Sequence, residues 1–167
     1  MVRLALALKA LSLAQGYSGV RPEIVKGLLH LLSDDLIPVI PEKGSVGASG
    51  DLAPLAHLSL PLIGEGEVFV DGKRHPAAKA LQMRGLDPLV LEAKEGLALV
   101  NGTQISTALA IDALFTAERN LASALVTGAM AVEAALGSYV PCDERIHNLR
   151  PHPGQREIAR LYRVLLN

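Results

Sequence analysis

Apolar residues recur at helical spacing along most of this chain. Leu4, Leu8 and Leu11 mark a first helix over Val2–Ala14, which stops before Gly16. Pro22 opens a second helix, where its missing N–H costs nothing, with Ile24, Leu28, Leu31 and Leu32 as its apolar stripe. Pro38 and Pro41 close that region. Gly44-Ser45-Val46-Gly47-Ala48-Ser49-Gly50 is a run of small residues and reads as a loop. Asp51-Leu52-Ala53-Pro54 then reads as a helix start, with Asp51 as N-cap and Pro54 in the first turn. The pattern predicts that Leu52, Leu55, Ala56 and Ile63 are buried, and that Pro61 and Gly64 end the helix.

Glu67–Arg74 alternates around Asp71-Gly72, the signature of a hairpin with a type I′ turn. Short helices are expected over Pro76–Met83 and Leu89–Val100. Asn101-Gly102-Thr103-Gln104 reads as a capping box, with Asn101 opening the longest helix, which runs to Leu136 and stops at Gly137. From Gly102 to Leu136 only Asp112, Glu118, Arg119 and Glu133 are charged. A helix apolar nearly all round is expected to be buried on most sides. With few other helices to cover it, the expectation is partner chains or further chain. The chain opens inside an uncapped helix and stops partway along the stripe Ile158, Leu161, Leu165, so it is expected to be an internal fragment.

Composition supports the class. Among 167 residues, 30 are Leu and 23 are Ala, both strong helix formers, and aromatics are only 3%. The fold class is therefore mainly α, a long-helix bundle with one small β-hairpin. Half the residues are apolar and 20% are charged, which excludes disorder. With 16 Lys+Arg against 17 Asp+Glu there is no basic field for nucleic acid or an anionic membrane. The longest uncharged run, Gly96–Ile111, contains Asn101, Thr103, Gln104, Ser106 and Thr107, and is too short and polar to span a bilayer. A lone cysteine, Cys142, excludes an internal disulfide and fits a reducing, cytoplasmic setting. The five histidines show no paired ligand spacing, so no metal is expected.

The chemistry concentrates in Gly44–Asp51. In Ala48-Ser49-Gly50 a tight turn of small residues lets the Gly50 nitrogen approach the Ala48 carbonyl carbon. Closing that five-membered ring and losing water, including the Ser49 hydroxyl, leaves an exocyclic methylidene, an electrophile at the positive end of a helix. The stretch Gly44 to His57 resembles the signature of the aromatic amino acid lyases that carry the 4-methylideneimidazol-5-one (MIO) group. Lys94-Glu95-Gly96-Leu97-Ala98-Leu99-Val100-Asn101-Gly102-Thr103 is similar to the family's Asn-Gly-Thr segment. Gly16–Arg21 and Arg150–Gln155 fit as well. Within the family, Asp51-Leu52-Ala53-Pro54-Leu55-Ala56-His57 resembles the histidine-acting branch more than the phenylalanine branch.

The resemblance implies that Ala48, Ser49 and Gly50 become the prosthetic group, with no diffusible cofactor. It implies that Asn101 hydrogen-bonds near the ring or substrate and that Asp51 supports ring formation. It further implies an ammonia-lyase converting L-histidine to trans-urocanate, as a homotetramer whose sites draw on several subunits. The family's tyrosine base lies before this stretch, and other pocket residues lie after it. Tyr17, Tyr139 and Tyr162 do not match them, so the segment alone is expected to be inactive.

Plainer readings compete. A Gly/Ser/Ala loop before a helix is often a simple connector. Asn101 and Asp51 suffice as caps without any chemistry. A Ser49/Asp51/His57 triad is conceivable by composition only. The nucleophile elbow, phosphate loop and dinucleotide fingerprint each fail on spacing or context. Lyases or aminomutases for other aromatic amino acids, or a non-catalytic helical interaction module, remain as alternatives.

Overall fold

The computed structural model describes residues 1–166. The chain divides into two compact units, Met1–Asp112 and a second that begins at Ala113.

The first unit opens with α1 (Val2–Ala14) packed on α2 (Pro22–Ser33). Pro22 sits at the start of α2, as its fixed φ favours. The stripe of α2 is the expected one, with Ile24, Leu28 and Leu31 fully buried. That of α1 is not. Ala5, Leu6, Lys9, Ala10 and Leu13 face the core, while Leu11 is exposed. The spacing of Leu6, Lys9, Ala10 and Leu13 is as helical as that of the leucines, but counting only apolar residues hides it because Lys9 lies on the buried face.

After α2, Ile37–Pro38 forms a short strand, β1, that the prolines had concealed. It pairs antiparallel with β2 (Glu67–Val70), which pairs in turn with β3 (Lys73–Pro76), so the expected hairpin is two strands of a three-stranded sheet. Pro38 is tolerated because β1 is an edge strand. Asp71 and Gly72 both have positive φ, 49° and 75°, as a type I′ turn requires. Between these strands lie the loop of residues 44–50, α3 (Leu52–Ser59) and a 3-10 turn over Leu60–Ile63, closed by Gly64. The buried residues of α3 are Pro54, Leu55, Leu58 and Ser59, joined by Leu62 of the 3-10 turn, whereas Leu52 is 58% exposed.

α4 (Ala77–Met83) follows β3, and α5 is only Glu95–Val100. Leu89–Glu92 is not helical, contrary to the pattern. Arg21 ties that stretch down, donating to the Val90 carbonyl at 2.8 Å and to Glu95, whose carboxylate also accepts from the Glu92 amide at 2.7 Å. The long helix α6 is Gln104–Ala134. Its opening residues, to Asp112, belong to the first unit, where Ala108 joins the core.

The second unit holds the rest of α6, a 3-10 turn at Val140–Cys142, α7 (Glu144–Leu149) and α8 (Pro153–Leu165). α6 ends with Leu136 in the left-handed region and the Gly137 amide reaching back to the Val132 carbonyl at 2.7 Å. The stop is a Schellman turn, but its left-handed residue is Leu136 and not the glycine. The expected burial of α6 is not met within this chain. Among the described residues from Ala113 onward only Ala129 and Ala159 are buried apolar residues, and Phe115 and Leu121 are 53% and 55% exposed.

By length and mean hydropathy (1.2) the stretch Glu95–Ala134 would be long and apolar enough to cross a membrane, but it is two helices, α5 and α6, broken at residues 101–103. Asp112, Glu118 and Arg119 interrupt it, and each would cost about 2.5–3.5 kcal/mol at a bilayer centre.

Candidate functional site

The site is built where the loop of residues 44–50 meets the hinge between α5 and α6. Gly44, Gly47 and Gly50 all have positive φ, so the loop takes a path that side chains would resist. Gly50 has φ +77°, and a Cβ there would lie 2.9 Å from the Asn101 Oδ1. Both facts demand glycine at that position. The Gly50 amide donates to the Gly102 carbonyl at 3.2 Å. Ala48 and Ser49 are exposed beside it. Three of the sequence-derived site residues, Ser49, Gly50 and Asn101, thus converge from segments about fifty positions apart, and Ala48 sits one residue away.

Asp51 occupies the N-cap position, because its carbonyl accepts the Leu55 amide at 3.2 Å. Its side chain does not cap α3. The buried carboxylate turns back to the loop instead, accepting from the Ser45 hydroxyl at 2.5 Å and the Val46 amide at 3.2 Å. Asp51 therefore fixes the loop's entry, and its bonds go to Ser45 and Val46, not to His57. The expected capping box is also absent. Asn101 is the C-cap of α5, with an extended backbone (φ −103°, ψ 142°), and α6 begins three residues later. Asn101 thus does not open α6, and its side chain lies against Gly50.

Two features were missed by sequence reasoning. Lys9 is 1% exposed, and its Nζ donates to the Asn101 carbonyl at 2.6 Å and to the Gln104 Oε1 at 3.5 Å. Burial pushes its pKa down from 10.5 to about 8. The available signal was its place on the buried face of α1. The second is the pair of Arg21 and Glu95. Arg21 Nε and Nη2 donate to the two Glu95 oxygens at 2.9 and 2.8 Å, a two-pronged contact. The hydrogen bond from Arg21, chiefly, holds the Glu95 carboxyl down at about 2. The pair fixes the start of α5 and so the position of Asn101 at its end.

A cleft of about 360 Å³ opens over this hinge, lined by Lys9, Ser18, Ser49, Lys94, Asn101 and Gln104 among others. Two lysines and no carboxylate line it, so it favours an anionic group.

The family model for aromatic amino acid lyase matches residues 1–167. The chain belongs to that family. It is 59% identical over 165 residues to a histidine ammonia-lyase of Aromatoleum aromaticum, an alignment covering 99% of this chain and 31% of the relative. Among solved structures, a histidine ammonia-lyase from Trypanosoma cruzi superposes with a TM-score of 0.92 at 39% identity, covering 98% of this chain and 32% of that one. A tyrosine aminomutase from Streptomyces globisporus superposes with a TM-score of 0.88 at 40% identity, covering 98% and 31%. The chain therefore spans about a third of the length of the lyases and aminomutases it matches.

Proposed function

We propose that residues 1–167 are the ring-forming segment of a larger lyase domain whose substrate is L-histidine and whose product is trans-urocanate. The observation that carries this reading is the junction at Gly50, where the amide meets the Gly102 carbonyl and the Asn101 Oδ1 fills the space of a missing Cβ. The contact suits a glycine that must approach its neighbours closely and present its nitrogen in one direction. The residues therefore fit the MIO group that the family implies.

The chain's own atoms supply every part of the closure. The Gly50 nitrogen bonds to the Ala48 carbonyl carbon, and its proton passes to the carbonyl oxygen. The resulting hydroxyl leaves with the Ser49 amide proton as water, forming a C=N bond. The Ser49 hydroxyl then leaves with its Cα proton as a second water, forming the exocyclic C=C bond. No oxidant is needed. The Gly102 carbonyl is placed to orient the Gly50 N–H, and Asp51 holds the loop's entry through Ser45 and Val46. When present, the group supplies an electrophile that engages the substrate and acidifies its β-proton. Asn101 would steady the ring or substrate from α5, and the cationic lining of the cleft would favour a carboxylate.

The histidine substrate rests on the 59% identity to a histidine ammonia-lyase. A second reading, an aminomutase for another aromatic amino acid, is favoured by the near-equal match to the tyrosine aminomutase. The exposed apolar surface of α6 accords with a homo-oligomer. The segment on its own is expected to be inactive.

Intact mass with peptide mapping across 43–57 tests the chemistry. A deficit of two waters at Ala48–Gly50, abolished in Ser49→Ala, is the expected result. In the longer protein, ammonia release from L-histidine but not L-tyrosine supports the lyase, whereas conversion of tyrosine to its β-isomer supports the aminomutase. A longer protein with neither the mass deficit nor turnover of either amino acid would return the fold to the non-catalytic reading.

A further inference from the structure

We infer that Lys9 is a positioning residue for ring closure, clamping the hinge between α5 and α6 so that Asn101 and Gly102 are held against Gly50. The inference rests on the ring-forming reading above and adds to it a residue on a separate helix.

The geometry is specific. The ammonium of Lys9 binds the Asn101 carbonyl at 2.6 Å and lies 3.5 Å from the Gln104 Oε1, so one side chain of α1 ties the C-cap of α5 to the first residue of α6. Between those two anchors lies Gly102, whose carbonyl receives the Gly50 amide. The Gln104 side chain lies beside Gly102, whose φ of +127° favours glycine there. The chain of contact thus runs from Lys9 through Asn101 and Gly102 to the nucleophilic nitrogen of the closure.

Burial of the group argues against a purely packing role. A lysine with 1% exposure pays to keep a cation out of water, and an apolar side chain on that face of α1 would be cheaper. The lowered pKa of about 8 is the mark of that cost. Its return is a charge-assisted bond, roughly twice the strength of a neutral one, on the one carbonyl that precedes Gly102. The Asn101 and Gly102 carbonyls accept no helical hydrogen bond, so the bonds from Lys9 and from the Gly50 amide are what restrain the backbone there.

The test compares the chain with Lys9→Met, a side chain of similar length without a donor. Two quantities are read: amide exchange in peptides across 97–107, and the fraction of chain short by two waters at 48–50. Exchange at the hinge about tenfold faster, as for loss of one charge-assisted bond, and ring closure about tenfold slower are expected. Amides of α2 should stay as protected as in the parent, and the melting temperature should not fall. Unchanged exchange at the hinge overturns the proposal. Equal loss of protection in α2 also overturns it, unless Lys9→Gln, which keeps a donor, restores α2 and the hinge together. If neither this chain nor the longer protein loses water, the ring-forming reading fails, while the exchange arm still decides whether Lys9 is the clamp.

Discussion

Helix α1 and the part of α6 beyond Asp112 are written in the same residues, leucine, alanine and valine with few charges, yet they end in opposite surroundings. α1 packs on α2 and buries five residues, among them a lysine. The distal part of α6 buries Ala129 alone among its described residues, while Leu114, Phe115, Leu121 and Met130 face outward. Periodicity and composition tell that a segment is helical and which residues would prefer to leave water. They do not tell which neighbours are present to receive them. In the first unit the neighbours come from within the chain; in the second the described residues supply few.

The largest expected effect sharpens that contrast. Leu28→Ala removes a fully buried side chain from the first unit and should cost about 2–5 kcal/mol. Leu121→Ala, at a similar chemical change on α6, should stay within about 0.5 kcal/mol in the isolated chain. Denaturant unfolding of both variants measures the difference. Equal losses, dependent on protein concentration, would mean that α6 is covered by self-association in solution.

The buried lysine of α1 gives the next effect. Its pKa is lowered from 10.5 to about 8 in the folded chain. Between those values the unfolded chain keeps a proton that the folded chain has released. Stability therefore rises with pH across this window, by at most about 1.4 kcal/mol per pH unit. Lys9→Met should abolish the rise and make the chain more stable near neutrality. A variant that unfolds earlier at pH 7 and retains the alkaline rise would show that Lys9 is not buried as a cation.

Much of this contrast was legible in the sequence and part was not. The helix limits at Val2–Ala14, the start of α2 at Pro22 and the Asp71-Gly72 turn follow from prolines, glycines and spacing, which act locally. The expected helix over Leu89–Val100 shrank to α5 because a distant residue, Arg21, holds Val90 and Glu92 in other bonds. Asp51 and Asn101 were picked as caps because cap residues and loop-holding residues are the same types. Only the fold reveals that one faces Ser45 and the other Gly50. Lys9 was passed over because a charge in a helical stripe is read as the exposed side. The Ala48-Ser49-Gly50 turn was legible because its chemistry needs small residues in sequence, whereas the groups that hold it come from other helices.

Acid should act on the first unit through Glu95. Arg21 holds this carboxyl at about 2, below its ordinary 4.5. Its contribution is complete above pH 4.5 and is lost as pH falls toward 2. Glu95→Gln should flatten this part of the acid limb in a pH series of melting temperatures. It should also loosen the start of α5, read as faster amide exchange at residues 92–95. An unchanged acid limb would place the acid sensitivity on other carboxylates.

The smallest effect belongs to the second unit, where stability is local. Leu136 holds a φ of 53° at the end of α6 and is 95% exposed, so its side chain gains little from the position. Leucine in that region costs about 1 kcal/mol or more, and glycine does not bear that cost. Part of the relief is offset by the wider freedom of glycine in the unfolded chain. Leu136→Gly should therefore stabilise the end of α6 by about 0.5–1 kcal/mol. The next residue behaves oppositely. A Cβ at Gly137 would stand 3.0 Å from the Val132 carbonyl oxygen, a backbone atom that cannot swing aside, so Gly137→Ala should weaken the same turn. Amide exchange over residues 130–137 reads both. If the two substitutions move protection in the same direction, the left-handed residue is not Leu136, and the helix stop lies at Gly137 as the sequence pattern had it.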